Sequence, residues 1–315
     1  MKITFAGSGS AFTKRNYQTN LIITRNRKHF LIDAGGDIRF SLDDIGMSYK
    51  DIDALYITHL HGDHIGGLEY LAFCTFFDPS VVDKITLIAN NDVTRELWSH
   101  SLQGGLKSIQ GRKMTLHDYF DVQMIKRNGK FYWEDITFSI VQSVHIMDEY
   151  SIVPSYGLMI TNPDEQAKYK KIYITGDSQF NPNQIIDFYK EADLIIQDCE
   201  TTPYNSGVHA NFMELKTLPE EIKNKMILQH YSDTVMENNR ELVINKIANV
   251  ILEHDLPKDE SELKEVIGEF VDYAREDQWI LSQEWQDNAK KEGFNLGFAK
   301  KGYFFDPSIG LWSKS

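Results

Sequence analysis

Apolar residues recur in short runs along the first two thirds of the chain, and several of these runs end beside a glycine, histidine or aspartate. Short apolar runs bounded by such residues predict buried β-strands. The predicted strands are Lys2–Ala6, Leu21–Thr24, Phe30–Asp33, Ala54–Thr58, Ile85–Ala89, Phe131–Trp133, Ile136–Val144, Tyr156–Ile160, Lys171–Thr175, Leu194–Gln197 and Met226–Leu228. Several of them are expected to release a histidine or an aspartate into the loop that follows, where binding sites are often built.

Helical spacing of apolar residues appears between the strands and dominates after Thr234. The helices predicted between strands are Ile38–Ile45, a helix that opens at Ile65 and continues towards Phe77, and Val93–Ser108. Later in the chain, Glu237–His254 and Ser261–Arg275 carry apolar residues at helical spacing. The remaining tail is too rich in tryptophan and phenylalanine to be disordered. Strands that alternate with helices predict an α/β fold, and the late helices predict a helical extension.

Composition and charge narrow the class of protein. Hydrophobic residues make up 42% of the 315 residues, which is ordinary for a protein with a sizeable core. The formal net charge of −13 argues against binding long nucleic acids, which usually requires a broad basic face. The two cysteines provide neither a disulfide framework nor a CxxC metal motif. We therefore expect a cytoplasmic protein that does not enter the membrane, because no apolar run approaches the ~20 residues of a membrane span.

The strongest chemical signal is the segment Thr58–His64, which follows an apolar strand directly. Three of the ten histidines of the chain lie in this segment, together with Asp63. Neutral imidazole and carboxylate are natural ligands of Zn²⁺, Mn²⁺ and Fe²⁺. We expect His59 and His61 to face one ion while Asp63 and His64 turn towards a second. Gly62 is expected to provide backbone angles that a larger residue resists.

This histidine segment, followed by Ile65-Gly66-Gly67-Leu68, resembles the signature of the metallo-β-lactamase superfamily. Much of Met1–Asp233 follows the motif order of that superfamily. The resemblance implies a four-layer αββα sandwich with the site along one edge of the two sheets. We accordingly divide the chain into a catalytic domain, residues 1–233, and a helical, aromatic-rich C-terminal extension packed on it, residues 234–315.

The resemblance also implies the remaining metal ligands. His145 matches the next histidine of the family, Asp177 matches the aspartate that bridges both metals, and His230 matches the final histidine. The implied cofactors are two divalent ions, with Zn²⁺ favoured and Mn²⁺ or Fe²⁺ as alternatives. The implied ligand set is His59, His61 and His145 on one ion, Asp63, His64 and His230 on the other, and Asp177 between them.

Further features point to one branch of the superfamily. The glycine turn within Phe5–Ala11 resembles that of the ribonuclease Z-like branch, which includes small-molecule phosphodiesterases. His209 resembles the additional histidine of the phosphodiesterase members, which contacts the scissile phosphate. The long Gly/Pro-rich arm with which ribonuclease Z enzymes grip transfer RNA has no counterpart between His145 and Asp177. The resemblance therefore favours a small substrate over transfer RNA.

The sequence thus predicts a dinuclear metal-dependent hydrolase, a phosphodiesterase of a small phosphodiester or cyclic nucleotide. Asp63 and His209 are the candidate catalytic residues, and Asp33 and Asp198 are candidate partners of the ligand imidazoles. Alternatives are a carboxylic ester, thioester or lactone hydrolase, a ribonuclease Z-like nuclease, and a non-catalytic binding protein on the same fold. The substrate stays open, and the aromatic C-terminal region leaves a homodimer open.

Overall fold

The computed structural model describes residues 1–238 and 279–314. The predicted helix Ser261–Arg275 and most of the predicted helix Glu237–His254 lie outside the described residues. Within the described ranges, no helix is long and apolar enough to cross a membrane. The cytoplasmic location and the homodimer stay predictions.

Two large sheets form the centre of the molecule. The strands are β1 Lys2–Gly7, β2 Asn20–Arg25, β3 Lys28–Ile32, β4 Ala54–Ile57, β5 Thr86–Asn90, β6 Ser108–Ile109, β7 Arg112–Lys113, β8 Asp121–Ile125, β9 Lys130–Trp133, β10 Ile136–Asp148, β11 Ser151–Thr161, β12 Lys171–Ile174, β13 Leu194–Asp198, β14 Met226–Gln229, β15 Met236–Asn238, β16 Trp279–Leu281, β17 Tyr303–Asp306 and β18 Leu311–Lys314. One sheet has the order β18-β17-β1-β2-β3-β4-β5-β8, and the other has the order β14-β13-β12-β11-β10-β9. All eleven predicted strands are present, with shifted boundaries.

Helices cover the outer faces of the two sheets. They are α1 Ile38–Asp44, α2 Gly62–Ile65, α3 Leu68–Phe77, α4 Asn91–Glu96, α5 Gln103–Leu106, α6 Leu116–Tyr119, α7 Pro182–Glu191, α8 Phe212–Leu215, α9 Glu220–Lys223 and α10 Gln283–Lys291. A π-helical turn, Leu97–Leu102, joins α4 to α5. The predicted helix Val93–Ser108 is therefore continuous from Asn91 to Leu106 and changes its winding in the middle, whereas Ser108 already belongs to β6.

Two hydrophobic cores hold these layers together. The larger core joins apolar side chains of both sheets with those of α1 and α3, and it includes Phe30, Phe138 and Leu68. Phe131 on β9 and Phe138 on the neighbouring strand β10 stack with ring centroids 4.8 Å apart. The smaller core lies under α7 to α10 on the outer face of the six-stranded sheet. The helix, sheet, sheet, helix order is the predicted αββα sandwich.

The strand that carries His145 differs from its prediction. We expected this strand to end at Val144 and to release His145 into a loop, but β10 continues to Asp148. Val144 pairs with Pro154 and Ile146 pairs with Val153, so His145 is an extra residue in the ladder with β11. Such a bulge turns a side chain away from the alternation of the strand. The bulge, rather than a loop, aims His145.

The described part of the C-terminal tail is not helical throughout, which corrects our expectation for this region. Residues 279–314 form three strands and one helix. Strand β17 pairs with β1 and so becomes part of the eight-stranded sheet. The side chain of Phe305 on β17 is buried in the larger core. Phe294 and Phe298 are buried in the smaller core. The division at residues 233 and 234 stays a prediction.

Candidate metal centre

The segment after β4 is held in place by one buried carboxylate. Strand β4 is fully buried, and Thr58 follows it directly. Asp33 follows β3 in a left-handed backbone conformation, and its side chain contacts Thr58. Asp33 accepts hydrogen bonds from the backbone N–H and the hydroxyl of Thr58, each at 2.8 Å. Its carboxylate also lies 2.8 Å from Nδ1 of His64. Asp33 therefore fixes both ends of the histidine segment.

The first group of potential ligands contains His59, His61, His145 and Asp177, whose ligand atoms lie within 4.8 Å of one another. The hydroxyl of Thr58 donates to Asp33, so it accepts from Nδ1 of His59 at 3.0 Å and leaves Nε2 of His59 without a proton. Nδ1 of His145 lies 2.8 Å from the carbonyl of Val208. These contacts orient the other ring nitrogens, Nε2 of His59 and Nε2 of His145, towards the space between the four side chains of the first group.

The second group contains Asp63, His64, Asp177 and His230, again within 4.8 Å of one another. A carboxylate oxygen of Asp63 lies 3.2 Å from Nε2 of His64 and 3.2 Å from Nε2 of His230. Asp177 belongs to both groups, with Oδ2 at 3.2 Å from His64 and 3.7 Å from His59. These are the two groups of ligands that the family resemblance implies.

Two glycines beside the cluster differ in whether their position requires glycine. Gly176 precedes Asp177 with φ of +61°, and a Cβ atom there would lie 2.6 Å from the hydroxyl of Ser155. This conformation favours glycine. Gly62 is different, because it begins α2 without a positive φ and has open space around the position of a Cβ atom. Our expectation that Gly62 is needed for its backbone angles is wrong.

Unpartnered buried atoms show that the cluster fits divalent metal ions. Nε2 of His59, Nε2 of His64 and Oδ2 of Asp177 are buried and take part in no hydrogen bond. Leaving buried polar atoms without partners is costly unless another group satisfies them. Two ligand atoms about 2.0–2.1 Å from one tetrahedral ion lie about 3.3 Å apart. The separation of 3.1 Å between Nδ1 of His61 and Nε2 of His145 is close to this value.

In the first group, the protonation states that burial and charge impose also suit metal binding. Burial lowers the pKa of His59 well below its ordinary value, and it lowers the pKa of His145 as well. Burial opposes the ionisation of Asp177, but the charges of His230 and His64 outweigh it and hold the pKa of Asp177 well below its ordinary value. Metal ligands must be neutral imidazoles and ionised carboxylates. The first group therefore meets this requirement without an external base.

His209 stands beside the cluster and is paired with Asp198. Nδ1 of His209 lies 2.9 Å from Oδ2 of Asp198, whose other oxygen lies 3.5 Å from Nδ1 of His230. Burial opposes a charge on His209, but the Asp198 carboxylate outweighs it and raises the pKa of His209 to about 10. The imidazole is therefore a cation at neutral pH. Its ring stacks on that of His230 with centroids 4.6 Å apart.

Sequence reasoning missed this pairing of His209 with Asp198. The sequence indicates Asp198, like Asp33, as a candidate partner of a ligand imidazole. Asp33 does contact His64, and Asp198 contacts His209 more closely than it contacts His230. The available signal was the position of Asp198 at the end of the apolar strand β13, next to the ends of β12 and β14. Neighbouring parallel strands bring such residues together.

The substitution Asp33→Ala tests how far this carboxylate organises the site. It removes the acceptor of Thr58 and of His64, so we expect metal affinity to fall about 10- to 100-fold, as for other residues that orient ligands. Competition with a chromophoric chelator measures this affinity. Asp43→Ala, on the exposed surface of α1, is the matched control and should retain the wild-type affinity. Equal affinities in Asp33→Ala and Asp43→Ala would contradict the assignment.

Comparisons with known proteins agree with this geometry. A family model described as Anti-Pycsar protein Apyc1 matches residues 1–250. A relative of that name from Bacillus phage vB_BsuM-Goe3 is 32% identical over 248 residues, which cover 75% of this chain and 91% of the relative. Another, from Paenibacillus sp. (strain J14), is 33% identical over 236 residues, which cover 74% and 90%. The crystal structure of the metallo-β-lactamase fold protein YhfI from Bacillus subtilis superposes with a TM-score of 0.62 at 16% identity, covering 97% of this chain and 99% of that one.

The αββα sandwich and the histidine–aspartate cluster at its edge define a metal-dependent hydrolase of the metallo-β-lactamase fold, acting on ester bonds. The predicted metallo-β-lactamase fold is confirmed. Within that class, the chain belongs to the family of the Anti-Pycsar protein Apyc1.

Proposed function

We propose that this protein is a phosphodiesterase that opens a cyclic mononucleotide with the help of two divalent metal ions, of which Zn²⁺ is favoured. The observation that carries the proposal is the pair of ligand groups that share Asp177 and contain unpartnered buried ligand atoms. Two-metal sites of this kind serve phosphate ester chemistry in many enzymes. The net charge of −13 and the family membership support a small nucleotide substrate over a long nucleic acid.

Seven side chains would hold the ions. His59, His61 and His145 provide three nitrogen ligands for one ion, and Asp177 adds an oxygen. Asp63, His64 and His230 would provide one oxygen and two nitrogen ligands for the second ion, with Asp177 again contributing an oxygen. When bound, such ions polarise a phosphate oxygen and make water a nucleophile near neutral pH.

Asp63 and His209 would move the protons of the reaction. Burial opposes the ionisation of Asp63, but hydrogen bonds to His230 and His64 outweigh it, so its pKa lies far below the ordinary value. An ionised carboxylate accepts a hydrogen bond from the attacking water and orients it. The new bond joins that water oxygen to phosphorus, one proton of the water passes to the Asp63 carboxylate, and the bond to the leaving ribose oxygen breaks. Protonated His209 then donates its proton to this oxygen.

Elemental analysis beside a substrate panel tests the proposal. The panel contains the 3′,5′-cyclic monophosphates of cytidine, uridine, adenosine and guanosine, bis-p-nitrophenyl phosphate, a lactone and a thioester. We expect about two metal ions per chain and turnover of cyclic nucleotides. Turnover of the lactone or thioester alone would move the assignment to a carbonyl ester hydrolase. A protein without metal and without turnover would overturn it.

Metal removal should also weaken the fold. The cluster buries unpartnered ligand atoms, which a bound metal ion would satisfy. A ligand present at a thousand times its dissociation constant stabilises the folded state by about 4 kcal/mol. We therefore expect a chelator to lower the unfolding temperature by several degrees, measured by calorimetry, and added Zn²⁺ to restore it. An unchanged unfolding temperature after confirmed metal loss would contradict this.

A further inference from the structure

A cavity of about 330 Å³ opens directly beside the metal cluster. His209 and His230 line its inner end, so the cavity is continuous with the site described above. Its volume lies at the lower end of the range for small-molecule sites, which is about 300–1,000 Å³. A space of this size suits a single nucleoside rather than an oligonucleotide.

Phe12 forms part of the rim of this cavity and is held there by its neighbours. The Phe12 side chain is 91% exposed. The loop that carries it is nevertheless fixed, because the Asp233 carboxylate accepts a hydrogen bond from the hydroxyl of Thr13 at 2.6 Å and from the N–H of Lys14 at 2.7 Å. Ser10 also donates its N–H to the carbonyl of Tyr231. A bulky apolar ring is thus presented to solvent from an anchored loop.

Tyr204 lines the same cavity from a second anchored loop. Its side chain is 68% exposed. Its carbonyl accepts from the hydroxyl of Thr202 at 2.7 Å and from the buried Asn211 amide at 3.4 Å. The carboxylate of Glu200 accepts the N–H of Ser206 at 2.9 Å in the same loop. The cavity is therefore lined by two exposed aromatic rings on two braced loops.

The charges of the cavity exclude a second phosphate. Among the described residues that line it there is no lysine or arginine, whereas Glu200 and Asp233 are acidic. Hydroxyl groups of Thr202 and Ser206 complete the lining. An uncharged aromatic group with polar edges matches these walls, whereas the phosphate belongs at His209 and the metal cluster, at the end of the cavity lined by His209 and His230.

We propose that this cavity is the nucleobase pocket, in which Phe12 and Tyr204 stack against the base of the substrate. The inference rests on the proposed function, since it takes the phosphate of that substrate to lie at the cluster. Stacking of bases on aromatic side chains tolerates different bases, because each base has a π face. The pocket therefore sets the requirement for a nucleobase rather than the choice among bases.

Alanine substitutions at the two rings test this role. We expect Phe12→Ala and Tyr204→Ala each to raise KM for a cyclic nucleotide about tenfold, in line with the energies of base stacking, with a much smaller change in kcat. An abasic ribose 3′,5′-cyclic phosphate provides the comparison substrate. The preference for the nucleotide over it, as a ratio of kcat/KM values, should fall about tenfold in each variant. Tyr204→Phe retains the ring and should preserve the preference.

A surface control separates stacking from a general effect of losing an aromatic residue. Tyr132→Ala removes a 70% exposed ring from β9, outside the cavity lining, and should leave KM at the wild-type value. Unchanged KM and preference in Phe12→Ala and Tyr204→Ala would overturn the pocket assignment while leaving the phosphodiesterase intact. A shift in the monomer–dimer equilibrium with unchanged KM would instead assign the two rings to a subunit contact, which also overturns it.

Binding measurements keep the two proposals separable. If the wild-type protein turns over no cyclic nucleotide, the proposed function is wrong, and calorimetric titration with a nucleoside 5′-monophosphate then decides on the pocket. Wild-type binding that weakens about tenfold in each variant supports the pocket. Equal dissociation constants in the three proteins, or no binding to the wild type, overturn it.

Discussion

Asp177→Ala should remove at least one metal ion and lower kcat/KM for the phosphodiester substrate by about 10³-fold or more. Oδ2 of Asp177 lies between 3.2 and 3.8 Å from the nearest nitrogens of His59, His64, His145 and His230. Without this carboxylate, neither group retains its shared oxygen ligand, and both lose the negative charge that offsets two dications. Elemental analysis and steady-state kinetics on the same preparation measure both effects.

The control for this experiment is Asp187→Ala, which removes an exposed aspartate from α7. It should retain the wild-type metal content and rate. If Asp177→Ala keeps both ions and a near wild-type rate while remaining folded, Asp177 does not lie between two metals. The shared-ligand role proposed for Asp177 would then be wrong, although the protein would still bind two metal ions.

His209→Ala should lower kcat for a cyclic nucleotide about 10²- to 10⁴-fold while metal content stays unchanged. The expected size is that of lost general acid catalysis, and the retained metal follows from the bond of Nδ1 of His209 to Asp198. A p-nitrophenolate leaving group departs without a proton. The loss on bis-p-nitrophenyl phosphate should therefore be clearly smaller, which separates proton donation from damage to the site.

His100→Ala provides the matched control, because His100 is exposed on the π-helical turn. It should behave as the wild type on both substrates. Equal losses of His209→Ala on both substrates would assign His209 to phosphate binding rather than to proton donation. A loss of metal in His209→Ala would instead make it a ligand.

The strands could be predicted because buried strands carry an uninterrupted apolar signal. Ala54–Ile57 and Leu194–Asp198 are buried throughout, and the apolar runs mark both of them. The bulge at His145 left no such signal, since it depends on the register against β11 and not on the residues of β10 alone. The pairing of β17 with β1 was also hidden, because the pattern around Tyr303–Asp306 is short and its partner lies at the other end of the sequence.

The metal cluster could be predicted because its ligands retain a family order along the chain. The structure brings together the seven side chains named from the sequence, in the two groups expected. What the sequence did not reveal are contacts between loops, such as Val208 with His145 and Asp198 with His209. Backbone carbonyls carry no sequence signature, and a paired aspartate resembles any aspartate at the end of a strand.

The pairing of Ile3 with Phe305 has a consequence for how the chain folds during its synthesis. One edge of β1 stays without a partner until β17 has left the ribosome, because β17 lies at Tyr303–Asp306 and is made long after β1. Contacts so distant in sequence form slowly, and open strand edges invite association with other chains. Newly made molecules should therefore depend on chaperones late in translation, and variants that weaken β17 should aggregate before they lose the ability to bind metal.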